Sequence, residues 1–392
     1  MKKIAYGLIC FALIITTIFL SNLQSMAVQA YSDDIFSHFT SSSYVLLDAD
    51  SGTVLVSKNP NQKMQVASIC KLMTSLITLE KIDAGELKLT DKIVASEHAA
   101  SMEGSQAFLD AGSSYTVSDL LKSVIVASAN DSAVVLAEAI SGSESAFVSN
   151  MNARAKELGM NNTVYANATG LPAPNQYSTA MDTSIILKEV AKHELYVNDS
   201  NIWMDSLTHP SGRKTELVNT NRLIKYYDKC KTGKTGFTDE AGYCLATTAT
   251  NGNLNLVTVT LKCNEAQDRF KESIDLYNYG FANFENKKII DSSVALENQI
   301  KVNGGKTDFA QIGFKNDFSA VAKKGDKSNY DVKINVAKSV KAPMQENAKV
   351  GVATIVKDGK VVGEVDIVLK QKLEKQNFKD ILNKIANNWA IS

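Results

Sequence analysis

Ala67-Ser68-Ile69-Cys70-Lys71-Leu72-Met73-Thr74, continued by Ser75-Leu76-Ile77-Thr78-Leu79-Glu80-Lys81, carries both a structural period and a chemical pair. Ile69, Leu72, Met73, Leu76 and Ile77 recur at three and four, which predicts a helix with one buried face over residues 67–81. Ser68 and Lys71 stand three apart at its start, so they share a face and the amine can reach the hydroxyl. A serine hydroxyl is a weak nucleophile that needs an adjacent base. A lysine serves as that base only when neutral, a state that burial and a neighbouring cation favour. An S-x-x-K taken alone occurs by chance on many helices.

Upstream, Tyr44-Val45-Leu46-Leu47 and Thr53-Val54-Leu55-Val56 flank Asp48-Ala49-Asp50-Ser51-Gly52, a hairpin pattern. Downstream, helical signals run through 117–126, 131–140 and 144–158, and a Gly- and Pro-punctuated loop covers 163–174. Strands return at 243–250 and 254–261 around Asn251-Gly252, and residues 272–284 read as helix. Strands at both ends and helices between them predict one α/β (α+β) domain whose terminal strands join an antiparallel sheet flanked by helices. Residues 285–371 alternate in short runs without helical period and predict a small all-β sandwich. From residue 372 to 392, Phe378, Ile381, Leu382, Ile385 and Trp389 form one apolar stripe opposite Lys375, Lys379, Asp380 and Lys384. That is an amphipathic helix suited to a membrane interface, or alternatively one docked on the β domain.

Lys2 and Lys3, the apolar run from residue 4 to 20 and Ala27-Val28-Gln29-Ala30 predict a signal peptide over 1–30, leaving a domain at 31–284 and an exported protein. Basic and acidic residues each number 42, and with no basic stripe or acidic tail standing out, nucleic acid is not an expected partner. The histidines, at 38, 98, 193 and 209, form no metal-binding spacing, so no metal or cofactor is expected. Cys70, Cys230, Cys244 and Cys263 do not read as a disulfide framework in a chain of this length. Cys70 reads as a small apolar packing residue, or as an oxidisable thiol beside the nucleophile.

Two further motifs follow the first in order. Ser128-Ala129-Asn130 sits in a polar break between helices, where a hydroxyl and a carboxamide can both face a cleft. Lys234-Thr235-Gly236 precedes the strand at 243–250, and its cation, hydroxyl and glycine suit a carboxylate held against a strand edge. A second copy, Lys231-Thr232-Gly233, competes with it; Phe237-Thr238-Asp239-Glu240-Ala241-Gly242-Tyr243 following directly favours Lys234.

S-x-x-K, S-x-N and K-T-G in this order are the three fingerprints of the penicillin-recognising serine enzymes. With Asn219-Thr220-Asn221-Arg222-Leu223 before the K-T-G, the mature chain resembles the low-molecular-mass penicillin-binding proteins, serine D-alanyl-D-alanine carboxypeptidases of peptidase family S11. The resemblance implies a transpeptidase/β-lactamase-like domain, a β-sandwich and a membrane-surface helix at the outer face of the cytoplasmic membrane. It implies that Ser68 attacks the carbonyl between the terminal D-alanines of a peptidoglycan stem pentapeptide and that β-lactams acylate the same serine. Lys71 would take the proton, Ser128 would relay one to the leaving amine, and Asn130 would hold the substrate amide. Lys234 and Thr235 would bind the terminal carboxylate with Gly236 beside them, Lys234 helping to keep Lys71 neutral. The N–H groups of Ser68 and Phe237 would form the oxyanion hole, and Arg269 would lie near the carboxylate end. A class A β-lactamase would need a glutamate in the loop after S-x-N, and residues 163–172 contain no acidic residue. A cross-linking transpeptidase differs only in its acceptor, and a non-catalytic binder of β-lactams or stem peptides would not need both Ser68 and Lys71.

Overall fold

The computed structural model describes residues 35–382, and the chain divides into two units between Ala282 and Asn283. The expected signal peptide and the end of the expected terminal helix, residues 383–392, lie outside the described residues.

The first unit is built on a five-stranded antiparallel sheet. Its strands are β1 (Ser43–Asp48), β2 (Val54–Lys58), β3 (Cys230–Thr238), β4 (Gly242–Asn251) and β5 (Leu254–Cys263), ordered β2-β1-β5-β4-β3. The first strand pairs with the last, Ser43 opposite Leu261 and Asp48 opposite Leu256, which closes the ends of the domain into one sheet as the patterning predicts. All six residues of β1 are buried, because both of its faces are covered. Val45 and Leu47 join the helical core on one side. On the other, Tyr44 meets Phe39 edge-on at 5.4 Å, and Leu46 faces Gly280 of the helix Asp268–Asn283. A Cβ at Gly280 would stand 2.6 Å from Leu256, so only glycine lets that helix lie so close to the sheet. β3 is left as an edge, and its free side is where a ligand can approach.

Between β2 and β3 come α1 (Lys71–Asp83), α2 (Val117–Val126), α3 (Asn130–Ser141), α4 (Glu144–Glu157) and α5 (Ala180–Val190), with shorter pieces among them. α1 departs from expectation in two ways. Residues 67–70 form a 3₁₀ turn, so the α-helix proper begins at Lys71. It is also buried on every side from Lys71 to Leu79, not along one stripe. Its polar residues survive burial through partners: Thr74 Oγ1 donates to the Ala168 carbonyl at 2.7 Å and Thr78 Oγ1 to that of Thr74 at 2.8 Å. Side-chain caps fix three of the other helix starts, Thr116 for α2, Ser143 for α4 and Thr179 for α5.

The second unit is all-β. Strands β6 (Phe284–Ile290), β7 (Ala295–Asn303), β8 (Phe309–Phe314), β9 (Phe318–Lys323), β10 (Tyr330–Val336), β11 (Ser339–Lys341), β12 (Lys349–Lys357) and β13 (Lys360–Leu369) make a six-stranded sheet, β10-β12-β13-β8-β7-β11, and a two-stranded β6-β9 ladder. Ile300, Val302, Ile312, Ile355, Ile367 and Leu369 form its aliphatic core. The helix expected from residue 372 begins later. Residues 371–377 run extended along this unit, with Leu373 buried opposite Met344 and Lys375 bridged to Gly305, and helix starts at residue 378. Backbone pairing wins there because Leu373, outside the stripe, belongs to the β core.

Candidate active site

Ser68 rides on the 3₁₀ turn of residues 67–70, which is clamped from two sides. A Cβ at Gly170 would lie 2.0 Å from the Ala67 carbonyl oxygen, and one at Gly236 would lie 2.4 Å from that of Val66. Loop 163–172 and strand β3 therefore press directly on the turn, and Ala67 takes a left-handed φ of 48° between them. Ile69 and Cys70 anchor the turn inward, and the Ser68 hydroxyl is left at the cleft. Lys71 Nζ stands 2.9 Å from Ser68 Oγ and 2.6 Å from the Thr169 carbonyl oxygen. The amine has no exposed surface, and burial pulls its pKa down to about 7, overcoming the opposing influence of Cys70 and Asp131. Cys70 is a buried thiol whose pKa burial pushes up to about 12, so it packs as an inert group.

The second wall is the break between α2 and α3. Ser128 adopts a left-handed φ of 63°, and its Oγ accepts a hydrogen bond from Lys234 Nζ at 2.7 Å. Asn130 opens α3; its amide nitrogen donates to the Glu103 carbonyl at 2.5 Å and its backbone N–H to Ser105 at 2.7 Å. Its side-chain oxygen is buried with no partner among the described residues, an acceptor waiting for a donor.

β3 supplies the third wall and separates the two K-T-G copies. Lys234 is buried against Ser128, whereas Lys231 is exposed and Thr232 Oγ1 is taken by Ser200 Oγ at 2.7 Å. Thr235 Oγ1 donates to Thr220 Oγ1 at 2.7 Å. Phe237 is half exposed and stacks on Tyr243 at 4.3 Å. Arg269 Nη1 donates to the Gly236 carbonyl at 3.0 Å and so reaches this end of the cleft. Burial lowers the Lys234 pKa well below its ordinary value, with Lys71 and then Arg269 adding to the effect. The expectation that Lys234 keeps Lys71 neutral needs adjustment, since burial is the leading cause for both amines.

These walls enclose a cleft of about 440 Å³ in which Ser68, Ser128, Asn130, Thr235, Phe237 and Arg269 all surface. Its chemistry can be read directly: a serine with a neutralisable lysine behind it, an unpaired acceptor, a second hydroxyl bonded to an amine, and cations at one end.

Several contributors escaped the motif reading. Asp131 accepts backbone N–H bonds from Ala107, Leu109 and Ser132, fixing the 103–109 segment that carries Gly104 and Ser105 into the cleft. Arg213, on the hairpin of strands Met204–Thr208 and Lys214–Val218, holds the same segment from outside, donating to the Phe108 carbonyl at 2.5 Å and to Asp110 at 2.7 Å. Asn167 Oδ1 accepts from Gly170 N–H at 2.7 Å, shaping the loop whose Thr169 carbonyl meets Lys71. Thr220 and Asn167 lay in stretches already singled out, with no role given to either, and no local pattern marks Asp131 or Arg213.

A family profile described as D-alanyl-D-alanine carboxypeptidase matches residues 27–265, and one described as penicillin-binding protein 5, C-terminal domain, matches residues 284–375. The chain is 38% identical over 350 residues to D-alanyl-D-alanine carboxypeptidase DacF of Bacillus subtilis, covering 89% of this chain and 90% of that one. It is 32% identical to D-alanyl-D-alanine carboxypeptidase DacA of Haemophilus influenzae, covering 84% of each. The crystal structure of penicillin binding protein 5 from Haemophilus influenzae superposes with a TM-score of 0.72 at 30% identity, covering 86% of this chain and 98% of that one.

Proposed function

This chain belongs to the D-alanyl-D-alanine carboxypeptidase family, and from that premise we propose that Ser68 and Lys71 carry out its serine hydrolysis on peptidoglycan stem peptides. One observation carries the residue assignment: a fully buried Lys71 amine with a pKa near 7 stands 2.9 Å from Ser68 Oγ. A general base is most effective when its pKa lies near the working pH. Ser68 Oγ attacks the carbonyl carbon of the penultimate D-alanine while its proton passes to Lys71. The oxyanion is met by the N–H groups of Ser68 and Phe237; loss of one such donor costs ~10²–10³ in rate. The C–N bond then breaks as Lys71 passes that proton through Ser128 to the departing D-alanine amine, which leaves Lys71 neutral again. In the second half-reaction Lys71 takes a proton from water, which attacks the ester and restores Ser68.

Asn130 suits the substrate amide because its orphaned Oδ1 gains an N–H donor on binding. Lys234, Thr235 and Arg269 gather at the end where a terminal carboxylate would sit. Penicillin presents the same acyl carbon and carboxylate, but its leaving amine stays tethered to the acyl group and obstructs water, and loop 163–172 has no carboxylate to direct a water past it, so its ester on Ser68 is long-lived.

The enzyme works at the outer face of the cytoplasmic membrane, with its C-terminal helix lying on that surface. Phe378, Ile381 and Leu382 are 75%, 38% and 51% exposed, which favours a lipid-facing stripe over one docked on the β unit. Among the described residues no helix is long and apolar enough to cross a membrane.

The test is incubation of the mature protein with a fluorescent penicillin, mapping of the adduct by mass spectrometry, and D-alanine release from diacetyl-Lys-D-Ala-D-Ala. A lasting adduct on Ser68 with serine-dependent release is expected. Rapid penicillin turnover without release would mean a β-lactamase, and absence of any adduct would remove the assignment.

A further inference from the structure

The zero net charge of the chain conceals a division. Residues 283–392 hold 19 lysines and no arginine against 13 acidic residues, a net of +6, and residues 1–282 balance them at −6. Within the second unit the lysines fall into two kinds. Lys288, Lys306, Lys349 and Lys357 are spent on internal ion pairs. Ten exposed lysines have no ion pair among the described residues: Lys315, Lys327, Lys333 and Lys360 are scattered over the unit, and the other six are Lys301, Lys338, Lys341, Lys372, Lys375 and Lys379.

Strand pairing sets Lys301, Lys341 and Lys375 along one edge of the unit, and Lys338 and Lys372 each adjoin a paired residue there. β7 and β11 pair in parallel, Lys301 beside Ser339 and Asn303 beside Lys341, and the intervening Val302 turns into the core. Lys301 and Lys341 therefore share the outer face of this edge. Phe309 of β8, paired with Lys301, stands on the same face and is 56% exposed. The chain then leaves the unit beside this edge: Gln376 N–H donates to Gly304 at 3.0 Å, Ala342 N–H to Asn303 at 3.0 Å, and Lys375 bridges Gly305. Of the nearby carboxylates, Glu374 is neutralised by Lys306 at 2.6 Å, Asp380 accepts the Asn377 N–H at 2.8 Å, and Asp308 adjoins Phe309 in sequence.

We propose that the β7–β11 edge of the second unit, with Lys301, Lys341 and Phe309 at its centre, is a docking surface for anionic phospholipid headgroups, continuous with the terminal helix. The inference rests on the membrane reading above and adds a partner to it. The charge sign selects the lipid, since uncompensated lysines gather where the lipid-facing stripe begins, and an exposed aromatic among them fits the headgroup boundary. Each lysine brought to an anionic surface strengthens partition about five-fold, an effect that salt screens.

The experiment is co-sedimentation of the full mature chain with vesicles of phosphatidylcholine alone or containing one quarter phosphatidylglycerol, at low and high salt. Wild type should bind the anionic vesicles more tightly, with the difference collapsing at high salt. Lys301→Glu/Lys341→Glu should weaken anionic-vesicle binding at least about 20-fold, leave neutral-vesicle binding unchanged, and be restored by Lys301→Arg/Lys341→Arg. Wild-type binding by the double-glutamate chain would overturn the proposal while leaving the helix reading intact. Ile381→Asp/Leu382→Asp tests that reading separately, and undiminished binding to neutral vesicles would sink it instead. If the double-glutamate chain keeps its vesicle affinity but loses retention on soluble poly(glycerol phosphate), the edge serves a wall polymer and the lipid proposal fails.

Discussion

The unit ending at Ala282 buries charge: Lys71, Lys234, Asp131, Asp182 and Glu272 are each under 5% exposed, and each is held by named hydrogen bonds. In the unit that follows, no polar or charged side chain is buried among the described residues, and the core is aliphatic. Both are built on largely antiparallel sheets, the second with one parallel pair, and share the same alternation of side chains. Desolvating an ion is costly unless it is paired, so a fold that does so repeatedly has traded stability for chemistry. The second unit made no such trade, and its charge lies outside, where it can meet a partner.

Four experiments on D-alanine release or on acylation press on this contrast, in order of falling effect. Ser68→Ala should remove activity by at least about 10⁴-fold with the fold intact by circular dichroism; substantial residual release would place the nucleophile elsewhere. Gly236→Ala should slow penicillin acylation about 10²-fold, because its Cβ would press on the Val66 carbonyl at 2.4 Å and push β3 off the Ser68 turn. Acylation should fall about ten-fold per pH unit below the Lys71 pKa of about 7 and level off above it, as only the neutral amine acts. Stability should follow the same sign. A lysine lowered from 10.5 to about 7 costs most where it must be charged in the folded state, below about pH 7, and that cost fades as pH rises towards 10.5. Arg213→Gln should reduce kcat/KM about two- to five-fold, since it removes a half-exposed ion pair to the 103–110 segment. A control completes the comparison: Ile355→Ala in the second core should lower stability by about 2–4 kcal/mol and leave release from a soluble peptide unchanged. A matching loss of turnover would show that the units are not independent in catalysis.

The three motifs were readable because each binds its function to a fixed short spacing. The structure brings Ser68, Lys71, Ser128 and Lys234 together although residues 71 and 234 are far apart in the chain. Ordinary periodicity marked α1 but not its burial on all sides, because Lys71, Thr74 and Thr78 read as a polar face until the partners of Lys71 and Thr74 in loop 163–172 and of Thr78 within the helix are known. The stretch after the second K-T-G favoured Lys234 over Lys231, and strand pairing supplies the physical reason, setting Lys231 outside and Lys234 inside. Asp131 and Arg213 act on distant backbone groups and Asn167 on the turn that follows it, and no motif spacing marks any of the three. The division of charge was present in the composition throughout, hidden because the halves cancel.

The strap formed by residues 371–377 also decides how the molecule bears a load. Tension arriving from beyond residue 378 falls first on the bond from Gln376 N–H to Gly304, then on that from Lys306 N–H to Glu374, and then on the paired main-chain bonds between Leu373 and Met344 and the Leu373 side chain in its pocket. These must give way before force reaches β13, so the strap works as a mechanical fuse. A jerk on the tail would unseat a few residues and spare the six-stranded core.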